Sequence, residues 1–343
     1  MDIKAVLEQA ISKKASDIYI IENIPISIKV NKTLTNLLNT PLTKEDTHQI
    51  IIDIYKFANR TFDITKNDDD FALSLPIGRF RINIYKQKGS YSSVIRLIPL
   101  EIPDYRLLNI PETIINLSDY KRGLVLFTGA TGSGKTTTLA CVLDKINKEK
   151  DNHIITIEDP IEYIHNHKKS IISQREIGID TTDYVSTIKF AMRQAPDVLL
   201  VGEMRDYEAM SATLTAAEAG HLIFATLHTM SASSTIDRIL NAFPADQQNQ
   251  VRTQLAGTLQ AIVSCQLIPT KNQDLYPVYE IMIANSSIRS TIREGKTFQL
   301  DNILQTSGSV GMKTMDMSIS DLLKKDLITR ETALEYANNT QFF

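Results

Sequence analysis

The spacing of apolar and polar positions changes about one third of the way along the chain, and this change predicts two domains. In the first hundred residues, apolar positions recur with helical spacing in two segments and with a period of two in the segments between and after them. The predicted helices cover residues 5–14 and 43–60, with Thr43 as N-cap of the second and Glu45 and Asp46 in its first turn. The predicted strands cover residues 16–21, 26–30, 71–75, 79–86 and 92–97. This mixture is typical of a small α+β domain, which we assign to residues 1–98.

From Gly123 onward the pattern becomes one of buried strands that alternate with helices. Residues 99–112 are punctuated by prolines and form the predicted linker. Apolar runs at residues 124–127, 154–157, 198–201 and 222–226 each precede a turn and then, mostly, a helix. The order predicts a parallel sheet with helices on both faces. After about Val263 we expect strands and then a largely helical C-terminus, all within an α/β domain of residues 113–343.

Composition and charge favour a globular protein of the cytoplasm. The 343 residues are 43% hydrophobic and 22% charged, and no stretch approaches the ~18 consecutive apolar residues that span a bilayer. Glu8, Lys13 and Lys14 interrupt the N-terminus, so we expect no signal peptide. Cys141 and Cys265 lie outside any Cys-x-x-Cys pair, which favours buried thiols over a disulfide or zinc site. With 37 basic and 40 acidic side chains the chain has no basic excess, so we expect no direct nucleic-acid partner.

A phosphate-binding loop follows the predicted strand at residues 124–127. The pattern G-x-x-x-x-G-K-T is complete, and an apolar helical segment follows it. The glycines allow the backbone to wrap around a phosphate, while Lys135 would pair with the β- and γ-phosphates and Thr136 would bind Mg²⁺. The candidate nucleotide-binding residues are Gly129, Ala130, Thr131, Gly132, Ser133, Gly134, Lys135, Thr136 and Thr137. The pattern predicts binding of ATP with Mg²⁺.

A second nucleotide-site strand, residues 198–201, ends at Gly202 and Glu203. Many P-loop ATPases have an aspartate that helps to hold the metal at the position of Gly202. Glu203 is therefore our candidate for orienting or deprotonating the attacking water, and other residues are needed for the metal.

Three acids follow the predicted strand at residues 154–157 and are candidates for that role. Glu158, Asp159 and Glu162 cluster at its carboxyl end, where side chains of a parallel sheet lie beside the phosphate loop. Mutual repulsion among carboxylates favours a cation between them. Together with Thr136, these residues form our predicted Mg²⁺ site; the alternative is a solvated acidic turn.

Histidines stand at both ends of the predicted strand at residues 222–226. His228 follows its carboxyl end and is a candidate for sensing the γ-phosphate, whereas His221 is more simply explained as a structural residue. His165 and His167 form an isolated His-x-His with no evident acidic or sulfur partner, which favours a structural role over a metal site.

The order of these blocks resembles one family of ATPases. Four blocks are similar to those of the type II and type IV secretion ATPase superfamily. They are the phosphate loop, the acids at 158–162, the Gly-Glu-Met-Arg-Asp box at 202–206 and the histidine box at 221–228. The stretches 287–296 and 311–316 resemble the branch that retracts type IV pili. Ala130 departs from that pattern, in which a proline is common.

The resemblance implies a PAS-like N-terminal domain joined to a RecA-like ATPase domain. It further implies a hexameric ring at the inner face of the cytoplasmic membrane, which acts on a platform protein of that membrane to remove pilin subunits from the fibre. Arg81 and Arg96, on neighbouring predicted strands, match arginines of the family that reach the nucleotide phosphates when the domains close.

The segment at residues 287–294 predicts an amphipathic helix near the C-terminus. Ile288 and Ile292 are one turn apart, and Arg289 and Arg293 repeat at the same spacing beside them. We expect the isoleucines to be buried and both arginines to face outward. The resemblance implies that this surface transmits ring motion to the pilus machinery.

Four other functions remain open from the sequence. A pilus extension or type II secretion ATPase would usually have a longer N-terminal region and a four-cysteine zinc loop. An accessory retraction paralogue would work only beside a main motor. A non-catalytic nucleotide-binding scaffold would retain Lys135 but have no use for Glu203, and a nucleic-acid translocase is disfavoured by the charge balance.

Overall fold

The computed structural model describes residues 2–30, 33–63, 65–98 and 101–343. The chain divides into two compact units. The first contains Met1–Glu101 together with Glu162–Ile164, and the second contains Ile102–Ile161 together with His165–Phe343. The predicted first domain starts at Met1 and the predicted linker at Pro99; these two residues and Leu100 lie outside the described residues.

The first unit is built on an antiparallel sheet whose strands lie in the order β3-β2-β1-β6-β5-β4. Its elements are helix α1 (Ile3–Ser12), strands β1 (Asp17–Ile20), β2 (Ser27–Val30) and β3 (Thr33–Asn36), helix α2 (Lys44–Phe57), and strands β4 (Asp68–Leu75), β5 (Gly78–Gln87) and β6 (Ser90–Ile98). The residues of β5 alternate, so that Phe80, Ile82 and Ile84 are buried with residues of α1 and α2. The other face of the sheet is left to polar side chains such as Arg81.

The predicted start of α2 is confirmed. Thr43 is its N-cap: the side chain accepts a hydrogen bond from the Asp46 backbone N–H at 3.1 Å, and the Asp46 carboxylate accepts one from the Thr43 N–H at 2.8 Å. This reciprocal pair satisfies two backbone donors at the end of the helix.

The second unit contains a seven-stranded sheet in the order β13-β12-β7-β11-β10-β8-β9, parallel except for the β12–β13 pair. Its strands are β7 (Gly123–Thr128), β8 (His153–Glu158), β9 (Ile171–Glu176), β10 (Val198–Val201), β11 (Leu222–Leu227), β12 (Leu259–Pro269) and β13 (Leu275–Ile283). Its helices are α3 (Glu112–Ile115), α4 (Lys135–Glu149), α5 (Tyr184–Ala191), α6 (Tyr207–Glu218), α7 (Ala232–Ala242), α8 (Gln248–Thr258), α9 (Ser286–Arg293), α10 (Leu300–Thr306), α11 (Met315–Lys324) and α12 (Arg330–Tyr336). The predicted fold class, a parallel-rich α/β domain with a smaller α+β domain, is confirmed.

Two apolar layers sandwich this sheet, as the continuous apolar runs predict. Val125 and Phe127 of β7 face the layer that contains α4, while Leu124 and Leu126 face the layer that contains α5 to α9. Cys141 and Cys265 are buried free thiols, which is the expected outcome. In the described part of the chain, no helix has both the length and the apolar character of a membrane span.

Two edge strands were not predicted. All four residues of β3 are exposed, and β9 has the sequence Ile-Ile-Ser-Gln-Arg-Glu with only its second and last residues buried. An edge strand with little buried surface has a weak apolar signal, so the sequence pattern does not reveal it.

Glu280 on β13 holds the N-termini of two helices in the C-terminal part of the second unit. Its Oε1 accepts a hydrogen bond from the backbone N–H of Ala232, the first residue of α7, at 2.7 Å, and its carboxyl group also accepts one from Met315, the first residue of α11. Burial raises the pKa of Glu280 to about 7, and the nearby Asp301 and Asp316 act in the same direction. One buried carboxyl group therefore links α7 to α11.

The expected outward orientation of Arg289 is wrong. Ile288 and Ile292 are buried in α9 as predicted, and Arg293 is exposed. The Arg289 guanidinium, however, donates to the backbone carbonyls of Ala256 at 2.8 Å and Gly257 at 3.1 Å, and to the side chain of Gln260. Because the last carbonyls of a helix lack partners within it, Arg289 is held against the end of α8.

Candidate active site

The phosphate-loop residues lie between the end of β7 and the first turn of α4. Gly129 has a φ of 137° and Gly134, the N-cap of α4, a φ of 91°, both in the region that favours glycine. A Cβ at residue 129 would clash with the Cys265 carbonyl oxygen and lie 2.6 Å from Ser133 Oγ. The loop therefore has the backbone conformation for which its glycines are required.

Lys135 is folded against the loop that precedes it. Its side chain is buried, and Nζ donates to the carbonyl oxygens of Gly129 at 2.6 Å and Ala130 at 2.8 Å. Thr136 and Thr137 follow in the first turn of α4. Gly134 has no side chain with which to cap α4, so an anion at this end would meet both the lysine and the amide groups of the first turn.

The strand order brings the other candidate blocks to the same edge of the sheet. β7 pairs with β11, β11 with β10, and β10 with β8, all in parallel. Adjacent strands are separated by about 4.8 Å, and their carboxyl ends meet at one edge. His228, Glu203 and Glu158 therefore stand at the ends of successive strands beside the one that leads into the phosphate loop.

Both carboxylate oxygens of Glu203 have cationic or potentially cationic partners. Oε2 accepts a hydrogen bond from Arg205 Nε at 2.7 Å, and Oε1 lies 3.1 Å from His228 Nε2. The bond to Glu203 raises the pKa of Arg205. The candidate base and the candidate γ-phosphate sensor are thus in direct contact.

Packing against β8 explains why residue 202 is a glycine. A Cβ at this position would lie 2.9 Å from the carbonyl oxygen of Ile157, 3.0 Å from the Tyr184 hydroxyl and 3.1 Å from the Cα of Glu158. An aspartate at residue 202 could not be accommodated without moving β8, so the acid of this strand end is supplied one residue later, by Glu203.

The three predicted metal-binding acids are in different settings. Glu158 is buried, and its Oε1 accepts from Thr156 at 2.6 Å and Gln174 at 3.1 Å. Asp159 lies 3.5 Å from Arg205 Nη1. Glu162 is exposed and belongs to the first compact unit. Among the described residues, no group of three or more His, Cys, Asp or Glu side chains is arranged to hold a metal ion.

Arg81 and Arg96 are cross-strand neighbours in the first unit, as the predicted strands require. They are directly opposite each other on β5 and β6 and are both paired with acids. Arg81 Nη2 donates to Asp70 Oδ2 at 2.8 Å, and Arg96 Nε donates to Asp17 Oδ1 at 2.9 Å. Both guanidinium groups lie on the face opposite the buried side chain of Phe80.

The three other histidines considered in the sequence have structural settings. His221 Nδ1 lies 2.9 Å from the carbonyl oxygen of Pro196, at the end of β11 remote from Glu203. The His167 Nδ1 accepts a hydrogen bond from the Ile172 N–H at 3.0 Å. His165 is buried, and burial lowers its pKa to about 4.

Sequence reasoning assigned no role to Arg205 or Tyr184. Arg205 lies within the box at residues 202–206, and the signal that could have identified it is a cation two residues after the candidate base. Tyr184 is the first residue of α5, and its hydroxyl lies near Gly202 and the acids of β8. Only the packing of α5 on the sheet reveals that position.

Comparisons with known proteins point to one family. The model of the family described as "Type II/IV secretion system protein" matches residues 1–294. The chain is 41% identical over 344 residues to the type IV pilus retractation ATPase PilT of Pseudomonas aeruginosa, with 100% of both chains covered. It is 38% identical over 341 residues to the type IV pilus ATPase PilU of the same organism, covering 99% of this chain and 89% of PilU.

A solved structure is similar over the whole chain. The crystal structure of the pilus retraction motor PilT with bound ADP superimposes with a TM-score of 0.91 at 39% identity, covering 100% of this chain and 99% of that chain. The family match, the full-length relatives and the phosphate loop together show that this chain belongs to the type II/IV secretion system protein family and is one of its P-loop ATPases.

Proposed function

We propose that this protein is the ATP-hydrolysing motor that retracts a type IV pilus and so powers twitching motility. The observation that carries the proposal is the full-length similarity to a relative named as a retraction ATPase. The arrangement of Lys135, Glu203 and His228 at one edge of the sheet supports hydrolysis as the source of force.

The proposed reaction is attack of water on the γ-phosphorus of ATP. A new P–O bond forms to the water oxygen, the bond to the β-phosphate oxygen breaks, and ADP and phosphate leave. Glu203 orients the water and accepts its proton, because a carboxylate in hydrogen-bonding reach can act as a general base. Lys135 exchanges its loop carbonyls for the β- and γ-phosphate oxygens, and His228 contacts the γ-phosphate from the end of β11.

The donor set at the strand ends fits Mg²⁺. This ion prefers oxygen ligands and commonly takes only one or two from the protein, with the rest from phosphates and water. The Thr136 hydroxyl and the Glu158 carboxylate would hold it, with Asp159 and Glu162 as further candidates. When bound, Mg²⁺ neutralises charge on the β- and γ-phosphates.

The domains would act together in a hexameric ring at the inner face of the cytoplasmic membrane. We assign residues 1–98 to the PAS-like domain, 99–112 to the linker and 113–343 to the ATPase domain. Arg81 and Arg96 would reach the nucleotide when the domains close, and the ring would turn an inner-membrane platform protein. We expect no direct nucleic-acid partner for this assembly.

A second candidate is an accessory retraction ATPase that works beside a main motor. The specific observation in its favour is the 38% identity to PilU, close to the value for PilT. Both candidates use the same site, so they differ in partner dependence rather than in chemistry.

The decisive experiment is deletion of the gene followed by counting of surface pili and a twitching assay. Loss of retraction predicts excess pili with no twitching. Plasmid-borne wild-type protein should restore the normal number of pili and twitching, whereas the Lys135→Ala variant should restore neither. Absent pili would instead indicate an assembly motor and refute the proposal. The accessory role would be favoured if the deletion gives excess pili and the plasmid-borne protein restores normal pilus numbers only in cells that also contain a second retraction ATPase.

A further inference from the structure

Arg205 bridges the acids that follow two neighbouring strands. Its Nε donates to Glu203 Oε2 at 2.7 Å, and its Nη1 lies 3.5 Å from Asp159 Oδ2. Glu203 follows β10 and Asp159 follows β8, and those strands are adjacent in the sheet. The guanidinium therefore compensates two carboxylates that would otherwise repel each other across the strand ends.

The backbone of Arg205 is anchored on both sides. The buried Met204 donates its N–H to the Thr226 carbonyl of β11 at 3.0 Å. Asp206 is the N-cap of α6 and accepts a hydrogen bond from the Ala209 N–H at 2.8 Å. The position from which the Arg205 side chain extends is thus determined by the sheet and by the start of a helix.

The bridge cannot be explained by its contribution to stability. The Arg205 side chain is 58% exposed, and such exposed ion pairs typically contribute only about 0–1 kcal/mol. Its effect is on orientation: with Arg205 on Oε2 and His228 on Oε1, the Glu203 carboxylate has a defined direction. Preorganised charge of this kind has more influence on catalysis than on folding.

We propose that Arg205 is a positioning residue for ATP hydrolysis, which holds the Glu203 carboxylate in a defined orientation through the bridge to Asp159. Arg205 is assigned a role through Glu203 because its Nε and Nη1 are both directed at carboxylates. The inference rests on the proposed role of Glu203 as the base.

The test combines Arg205→Gln, Glu203→Gln and the double variant in a kinetic cycle. We expect Arg205→Gln to lower kcat by about 10- to 100-fold, since general-base catalysis typically contributes about 10²- to 10⁴-fold. The affinity for a fluorescent ATP analogue, measured without turnover, should stay within about twofold of wild type. In the Glu203→Gln background the same substitution should cause no further loss, because coupled residues are not additive.

Two further variants separate geometry from charge. Arg205→Lys retains a cation but cannot bridge through a planar fork, so its kcat should lie between wild type and Arg205→Gln. Free guanidinium should restore part of the activity of Arg205→Ala. Arg106→Gln is the control, because Arg106 is an exposed arginine paired with Asp104 at 3.7 Å, and it should behave as wild type.

Several outcomes would overturn the inference. Normal kcat in Arg205→Gln or in Arg205→Lys would mean that the bridge is not needed. A tenfold loss of nucleotide affinity, with multiplicative losses in the double variant, would instead identify a phosphate-binding arginine. Wild-type turnover in Glu203→Gln would refute the base itself, whereas an inactive Glu203→Gln beside an active Arg205→Gln would refute only the role of Arg205.

Discussion

The carboxyl edge of the parallel sheet and the polar face of the antiparallel sheet both carry arginine–carboxylate pairs, but they hold them differently. In the first unit, Asp17, Arg96 and Arg81 form a cross-strand row whose spacing is set by the backbone ladders of β1, β6 and β5. In the second unit, Glu203 and Arg205 stand on a loop after a strand has ended. A side chain on a loop can reorient when ligand binds, whereas one on a ladder moves with its sheet. Chemistry is thus expected at the loops, and coupling to domain motion at the ladder.

The largest effects should come from Glu203 and Lys135 of the second unit. Glu203→Gln should lower ATP turnover by about 10²- to 10⁴-fold while ATP stays bound, because it removes the proposed base and spares the phosphate contacts. Lys135→Ala should instead weaken nucleotide binding by more than about tenfold, because it removes a charged hydrogen bond to phosphate. Turnover and affinity measured on the same preparations separate the two variants, with Lys121→Ala, an exposed lysine, as control. Equal loss of affinity in both would contradict the assignment of roles.

A buried acid in the same unit contrasts with Glu203. Glu280 is held by backbone amides, and its pKa is raised from the ordinary 4.5 to about 7. The folded state therefore retains this proton more strongly than the unfolded state, and the resulting stabilisation is complete below pH 4.5 and lost as pH rises through about 7. The loss corresponds to roughly 3 kcal/mol, at about 1.4 kcal/mol per unit of pKa.

Denaturant unfolding of wild type and Glu280→Gln between pH 4.5 and 8 tests this contrast. The variant has no proton to lose, so the difference in stability between the two proteins should shift in favour of the variant as pH rises. Contributions from titrating groups that do not interact with Glu280 cancel in that difference. A constant difference across the range would show that the Glu280 pKa is near its ordinary value.

The ladder residues of the first unit should affect ATP hydrolysis, and Arg81 should affect it more than it affects stability. Arg81→Ala and Arg96→Ala should each lower ATP hydrolysis by about tenfold, because a guanidinium that reaches phosphate in the closed state contributes about 1.4 kcal/mol or more. The exposed Arg81–Asp70 pair should contribute less than about 1 kcal/mol to folding, whereas Arg96→Ala should cost more, because it leaves the buried carboxylate of Asp17 without its cation. Lys29→Ala, in the same cross-strand row as Asp17, is the matched control. Unchanged ATP hydrolysis in both variants would show that neither arginine has a role in the reaction.

The smallest expected effect distinguishes the two arginines of α9. Arg289→Ala should lower the free energy of unfolding by about 1–2 kcal/mol, because the carbonyls at the end of α8 lose a charged donor. Arg293→Ala should change it by less than about 0.5 kcal/mol, because its side chain is exposed. If α9 transmits motion, Arg293→Ala should impair twitching without loss of ATPase activity. Normal twitching in that variant would leave α9 with a structural role.

The sequence by itself determined the parts of this protein that depend on local chain properties. The phosphate loop needs glycines at fixed spacings, the Thr43 cap needs an acid three residues later, and the buried strands of the parallel sheet read as apolar runs because both of their faces are covered. The fold class and the family followed from these local signals. The edge strands β3 and β9 lacked them, since they have little buried surface.

Only the tertiary structure decided which charged groups meet. Residue 202 is a glycine because β8 and Tyr184 approach it closely. Glu203 is paired because the Arg205 side chain extends to its carboxylate. Arg289 and Arg293 are one helical turn apart, which predicted that both would be exposed. The end of α8, however, contacts Arg289 and not Arg293. Helical periodicity fixes which residues share a face, and the neighbouring elements decide what that face contacts.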